Sequence, residues 1–150
     1  MDELDRKILA ALQKDGRLTN GEIGEAVGLS PSVCSRRRTI LEKSGVISKY
    51  TAVIEPKQVE LNITALVSVS LSTHDDGNAE RFAQLVNSLP NVLEAFALTG
   101  EMDYHLKVVC HDLEDLSRFI NRSLLPHESV SNVKTAIVLQ SLKETVALPI

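Results

Sequence analysis

The chain has 150 residues and a mass of 16.4 kDa, room for one ordinary domain or two small ones. Apolar residues make up 43% and charged residues 24%, which excludes wholesale disorder. Net charge is −4, which at first argues against a nucleic-acid ligand, but the charge is unevenly spread. Residues 1–55 carry nine Lys/Arg against eight Asp/Glu, and residues 56–150 carry seven against twelve. Between Ser30 and Tyr50 five basic residues (Arg36, Arg37, Arg38, Lys43, Lys49) face one acid, Glu42. A local basic stripe on an acidic protein suffices for salt-dependent phosphate contact. No apolar run is long enough for a membrane helix, and the acidic start Met1–Asp5 does not read as a signal peptide. Cys34 and Cys110 lie far apart, fit no metal or redox spacing, and point to a reducing cytosol.

The first 45 residues predict three short helices. Asp2 caps the first, with Asp5 in its opening turn and Leu4, Ile8, Ala11 and Leu12 on one face. Thr19 and Glu22 form a capping-box pattern for the second, whose apolar face is Ile23, Ala26 and Val27, with Gly28 as its stop. Ser30 caps the third, with Pro31 at the first helical position. Two short helices joined by Gly28-Leu29-Ser30 are the signature of a helix-turn-helix. Val46–Ile54 has strand character, as in the wing or hinge of a winged variant, and residues 55–62 read as a linker.

The remainder alternates differently. Strands are expected at Ala65–Leu71, Val92–Leu98, Tyr104–Cys110 and Val133–Leu139. Helices are expected at Ala79–Leu89 and after the cap Asp112, the latter carrying Leu113, Leu116, Phe119 and Ile120. The order β-α-β-β-α-β is the ferredoxin-like arrangement, with both helices on one face of the sheet. The open face is expected to carry Val109 and Ile137 beside Lys107 and His105, and a partly apolar open sheet finds a partner, so a homodimer is expected.

On a helical wheel Val33, Ile40 and Leu41 share a face with Arg37, while Ser32, Ser35, Arg36, Thr39 and Lys43 share another. The second set is small, polar and basic, which suits a helix lying in a major groove of double-stranded DNA. Arg36 is the candidate for guanine, Arg38 and Lys43 for phosphate, and Ser30 and Ser32 stand at the helix start. Arg37 reads either as a further DNA contact or as a structural residue bonded to a helix end or an acid. The alternative for the whole face is a solvated surface helix. The stretch Thr99-Gly100-Glu101-Met102-Asp103 between two strands reads as a clamp for an amino-acid zwitterion, with a backbone nest for the carboxylate and Asp103 for the ammonium group. Its alternative is a plain hairpin turn in which Asp103 caps local N–H groups. Ser131 and Thr135 are candidates to complete that pocket. His74, Asp75 and Asp76 crowd one loop but read as a solvated turn, and His105, His111 and His127 have no ligand spacing, so neither a metal nor a cofactor is expected. No catalytic set has motif context, and no enzyme activity is expected.

The stretches LDRKILAALQKDGR (Leu4–Arg17), VGLSPSVCSRRRTILEKSGVI (Val27–Ile47) and LTGEMDYHLKV (Leu98–Val108), with SVSNVKTAIVL (Ser129–Leu139) more weakly, resemble the Lrp/AsnC or feast/famine transcriptional regulators in order and spacing. The resemblance implies an α+β protein with a winged helix-turn-helix at 1–47, a hinge strand and linker at 48–62, and a ferredoxin-like effector and oligomerisation domain at 63–150. It further implies a homodimer, an octamer in many members, an amino-acid effector, and a cytoplasmic protein that sits on the nucleoid when bound to DNA. Sirohaem decarboxylase subunits resemble the same family, so a tetrapyrrole enzyme is the rival reading. Three departures stand out. Gly24 replaces the usual Ala in the second helix, where it should weaken the helix. Glu60 replaces a common Gly after the linker. Pro126–Ser129 replaces the usual Pro-Gly loop.

Overall fold

The computed structural model describes residues 1–73 and 75–150. The chain divides into two compact units, Met1–Val53 together with Leu142–Ile150, and Ile54–Ser141.

In the first unit α1 spans Glu3–Lys14, α2 Asn20–Val27 and α3 Pro31–Lys43. Local chemistry sets each start. Asp2 Oδ1 accepts the Asp5 N–H while Asp5 Oδ2 accepts the Asp2 N–H, both at 2.9 Å. Thr19 and Glu22 make the same reciprocal box on α2. Ser30 caps α3, with Pro31 at its first position. These bonds satisfy N–H groups that a helix cannot pair internally. At the C-terminus of α2, Gly28 takes a left-handed φ of 75°, and the N–H groups of Gly28 and Leu29 both reach the Gly24 carbonyl. A Cβ on Gly24 would stand 2.5 Å from the Leu29 carbonyl oxygen. Glycine at 24 is therefore what lets the turn close against α2, and the expectation that it simply weakens the helix is corrected.

The core of this unit is Ile8, Leu9 and Leu12 from α1, Ile23 from α2, and Cys34 and Leu41 from α3. Two wheel assignments change. Ala26 is exposed, and Ile23 and Gly24 are the buried residues of α2. Ile40 is exposed, and Cys34 takes the buried place beside Leu41, because a seven-residue spacing returns to the same side of a helix and six does not. Val46–Ile54 forms no strand. Extended backbone becomes a strand only by pairing with a neighbour, and no ladder forms with this segment among the described residues. The segment is held by side chains instead, as described below. Residues 142–150 belong to this unit, and the Gln13 side-chain amide brackets the Leu148 backbone, donating to its carbonyl at 3.1 Å and accepting its N–H.

In the second unit a 3-10 turn, Pro56–Val59, ends at Glu60, which adopts a left-handed φ of 63°. Then follow β1 (Ile63–Leu71), α4 (Asp76–Ser88), β2 (Val92–Ala97), β3 (Tyr104–Cys110), α5 (Leu113–Arg118), a π-helical continuation Phe119–Leu124, and β4 (Val130–Ile137). Among the described residues the strands form one antiparallel sheet in the order β2-β3-β1-β4, as the β-α-β-β-α-β pattern requires. Alternate β1 residues Ala65, Val67, Val69 and Leu71 are buried against Phe82 and Val86 of α4 and Leu116, Phe119 and Leu124 of the second helical segment. Leu113 is exposed and takes no part in that core.

The opposite sheet face carries Thr64, Leu66 and Ser68 of β1, paired with Val109, Lys107 and His105 of β3. Ile137 does not share it. Ile137 pairs with the buried Ala65, so it lies on the helix side, and Ala136, opposite Leu66, takes the open-face position. The strand alternates every residue, so a reading one position off moves a side chain to the other face. No helix among the described residues is long and apolar enough to cross a membrane.

Candidate nucleic-acid interface and ligand pocket

The helix α3 sorts its side chains by direction. At about 100° per residue, Cys34, Arg37, Arg38 and Leu41 fall on one side, and Ser32, Ser35, Arg36, Thr39 and Lys43 on the other. All five of the second set are exposed. Ser30, also exposed, accepts the Val33 N–H and bonds the Ser32 hydroxyl at 3.1 Å, so it shapes the first turn of this face.

Arg37 and Arg38 lie on the inward side of α3 and, unlike the other expected DNA contacts, are engaged by partners within the unit. Arg37 Nη1 donates to Asp5 Oδ1 at 2.7 Å and to Asp2 Oδ2 at 2.8 Å, bolting α3 to the start of α1. Asp5 first and Asp2 second hold its guanidinium more firmly charged than usual. Of the two readings open for Arg37, this is the structural one. Arg38 Nε donates to the Tyr50 hydroxyl oxygen at 2.8 Å and to Glu42 Oε1 at 3.1 Å, and its Nη1 donates to the Leu18 carbonyl at 3.1 Å. Its guanidinium lies 4.7 Å from the Tyr50 ring centre, and the Tyr50 hydroxyl donates to Glu42 at 2.9 Å. Burial, and then the bond to Glu42, raise the Tyr50 phenol pKa. This cluster pins the chain that follows α3 back onto the helices. The sequence reading missed it, although the spacing 34, 37, 38, 41 already marks an inward stripe.

A cavity of about 220 Å³ opens at the end of β1 in the second unit. Leu71, Ala79, Ala97, Leu98 and Tyr104 supply its apolar lining, and Asp75, Asp76 and Asp103 its polar lining. Asp75 caps α4, accepting the Thr73 hydroxyl at 2.6 Å and the Asn78 N–H at 2.8 Å, and those two bonds, in that order, hold its carboxyl below the usual range. Asp103 Oδ2 accepts the Leu71 N–H at 2.7 Å, where the β1–β4 register shifts. On the other side Ser131 Oγ donates to the carbonyls of Ser70 and Leu71 at 3.1 and 3.0 Å. Asp103 and Ser131 are thus brought together around Leu71.

The other expected ligand residues scatter. Thr99 and Glu101 are exposed, and Gly100 holds a φ of 135° that other residues rarely adopt. The Met102 sulfur accepts the Ser70 hydroxyl on the open sheet face. Thr135 pairs with Val67, four residues from Leu71 and so about 13 Å along the strand, which separates it from this group. Of the acidic loop, His74 lies outside the described residues, and no cluster able to hold a metal occurs among those described. Burial pushes the Cys110 thiol up to about 11, and Asn91 contacts its sulfur.

A helix-turn-helix with an outward basic face, followed by an α+β unit with a small pocket, defines a DNA-binding regulator with a ligand-binding domain. Residues 1–48 match the winged helix-turn-helix DNA-binding model, and residues 64–148 match the Lrp/AsnC ligand binding domain. The transcriptional regulator AzlB of Bacillus subtilis is 37% identical over 150 residues, all of this chain and 96% of that protein. The leucine-responsive regulatory protein of Rhizobium meliloti is 36% identical, over 96% of this chain and 92% of its own. A Neisseria meningitidis transcriptional regulator solved in complex with L-Met superposes with a TM-score of 0.96 at 42% identity, covering 99% of this chain and 96% of that one. Escherichia coli AsnC gives 0.89 at 26% identity, covering 98% and 97%. The chain belongs to the Lrp/AsnC family of transcriptional regulators, and it is a DNA-binding regulator rather than an enzyme.

Proposed function

We propose that this regulator reads DNA sequence through the outward face of α3 and responds to an amino acid bound at the β1-end cavity. The observation that carries the first part is the division of the α3 arginines. Arg37 and Arg38 are held by intramolecular partners, while Arg36 and Lys43 stand exposed among Ser32, Ser35 and Thr39. Arg36 is the base-edge contact, Lys43 a phosphate contact, and Ser30 and Ser32 flank the entering helix end. For the effector, the Asp75, Asp76 and Asp103 carboxylates on a small cavity otherwise lined by Leu71, Ala79, Ala97, Leu98 and Tyr104 suit an ammonium group beside an aliphatic side chain. The L-Met complex of the Neisseria relative supports that class of ligand. Ser131, which grips Leu71 beside Asp103, is the nearest further candidate for the site, while Thr99, Gly100, Glu101, Met102 and Thr135 lie outside its lining.

Assembly as a homodimer is supported by the partly apolar open sheet face, where Phe96, half exposed, lies opposite His105, and the octamers of many family members would need a further contact between dimers. In such a dimer Val46–Ile54 gains a strand partner and acts as the hinge. The protein works in the cytoplasm, on the nucleoid.

Fluorescence anisotropy with the DNA upstream of the protein's own gene, over a salt series, tests the reading. Specific binding well above a scrambled duplex, weakening steeply with salt, is the expected result. Binding equal to the scrambled control at every salt concentration overturns it for that site. Calorimetry with the amino acids tests the effector, and silence with all twenty overturns that part. Sedimentation showing a monomer at micromolar concentration overturns the assembly.

A further inference from the structure

Ile40 is 58% exposed, a large β-branched apolar residue on the flank of α3, between the half-buried Val33 and the polar and basic set. It is not part of its own unit's core, whose buried α3 residues are Cys34 and Leu41. Four residues after Arg36, it sits one turn further along and about 40° around the helix, so the two side chains are neighbours on the outward surface. We propose that Ile40 is a specificity-determining residue that packs on the C5-methyl group of a thymine in the major groove. Thymine alone among the bases offers an apolar group there. Water-exposed in the free protein, the Ile40 side chain gains from burial only when DNA presents such a surface. Arg36 and Ile40 are separated by about 6 Å along the helix axis, and bases on one strand by about 3.4 Å. With Arg36 on a guanine, Ile40 therefore addresses a thymine about two base steps away, and each half-site should contain that pair.

The inference rests on α3 being the reading helix, and the experiment separates the two. Sites are selected from a random duplex library with the full-length protein, and each thymine is then replaced singly by uracil, which removes only the methyl group. The expected result is one thymine per half-site whose replacement weakens the wild-type protein about fourfold, the worth of one buried methyl. The Ile40→Ala protein, shown folded by its thermal melt, should be insensitive at that position alone. The proposal is overturned if no uracil replacement weakens the wild type, or if Ile40→Ala keeps the same sensitivity. Arg36→Ala and Lys43→Ala report on the parent reading. If both bind the selected sites as the wild type does, α3 is not the reading helix and the Ile40 assignment goes with it. If both weaken binding while Ile40→Ala keeps the uracil pattern, only the Ile40 assignment fails.

Discussion

Arg37 on α3 and Asp5 on α1 are 32 residues apart in sequence and 2.7 Å apart in space, on side chains only 22% and 15% exposed. Arg36, the preceding residue, is exposed to solvent. Neighbouring arginines should therefore fail in different ways. Arg37→Ala should lower the thermal midpoint by several degrees, since it leaves two acids at the start of α1 without their cation. Arg36→Ala should leave the melt unchanged, reduce operator affinity tenfold or more, and relax specificity at the guanine it reads, whereas Lys43→Ala should weaken all sequences alike and lower the salt slope by about one. Melting curves and anisotropy on the three variants check this.

Acid should loosen the first unit. Asp2 is held below the ordinary carboxylate value by the Asp5 N–H and then by Arg37. Glu22 is held below it by the Thr19 N–H and then by the Thr19 hydroxyl. A carboxyl whose folded pKa is depressed contributes stability above its unfolded value and loses it as pH falls through the folded value. Stability should thus hold from pH 7 down to about 5 and decline below about 4. Asp2→Asn and Glu22→Gln should each flatten that decline, followed by circular dichroism against pH.

Gly24→Ala should destabilise, against the usual rule for a helix interior. Alanine is worth up to about 1 kcal/mol in intrinsic propensity. Its methyl would stand 2.5 Å from a backbone oxygen that has no flexible end to move aside. Overpacking of this kind costs about 1–3 kcal/mol, so the net change is a loss. A midpoint in urea higher than the wild type's would contradict it.

Glu60→Gly should do the opposite. The left-handed conformation costs an L residue about 1–2 kcal/mol, and glycine avoids that cost while giving back some chain entropy. A net gain of about 0.5–1 kcal/mol is expected, readable as a higher denaturation midpoint of the second unit.

Much of this was legible before any coordinates. The capping pairs Asp2/Asp5 and Thr19/Glu22, and the Ser30-Pro31 start, are local chemistry, and local chemistry is written in adjacent residues. The order of strands and helices follows from periodicity, and the outward set on α3 from its polarity. What stayed hidden depends on partners distant in sequence. Whether an arginine faces DNA or an aspartate 32 residues away cannot be read from its own neighbours. Ile137 and Ala136 sit on an edge strand whose register only the pairing with β1 decides. Val46–Ile54 has the composition of a strand, but a ladder needs a second strand. Asp103 and Ser131 meet because both grip Leu71, a contact that no spacing announces.

The return of residues 142–150 to the first unit has a consequence for how the molecule can be taken apart. The DNA-binding unit is not one continuous piece of sequence, because Gln13 finds its backbone partner at Leu148. A hybrid regulator spliced at a single junction near Val53 would pair one parent's α1 with the other parent's tail. Grafting the reading unit onto a foreign sensor therefore takes two seams, one at each passage of the chain between the units, and position 13 must be matched to the tail that comes with it.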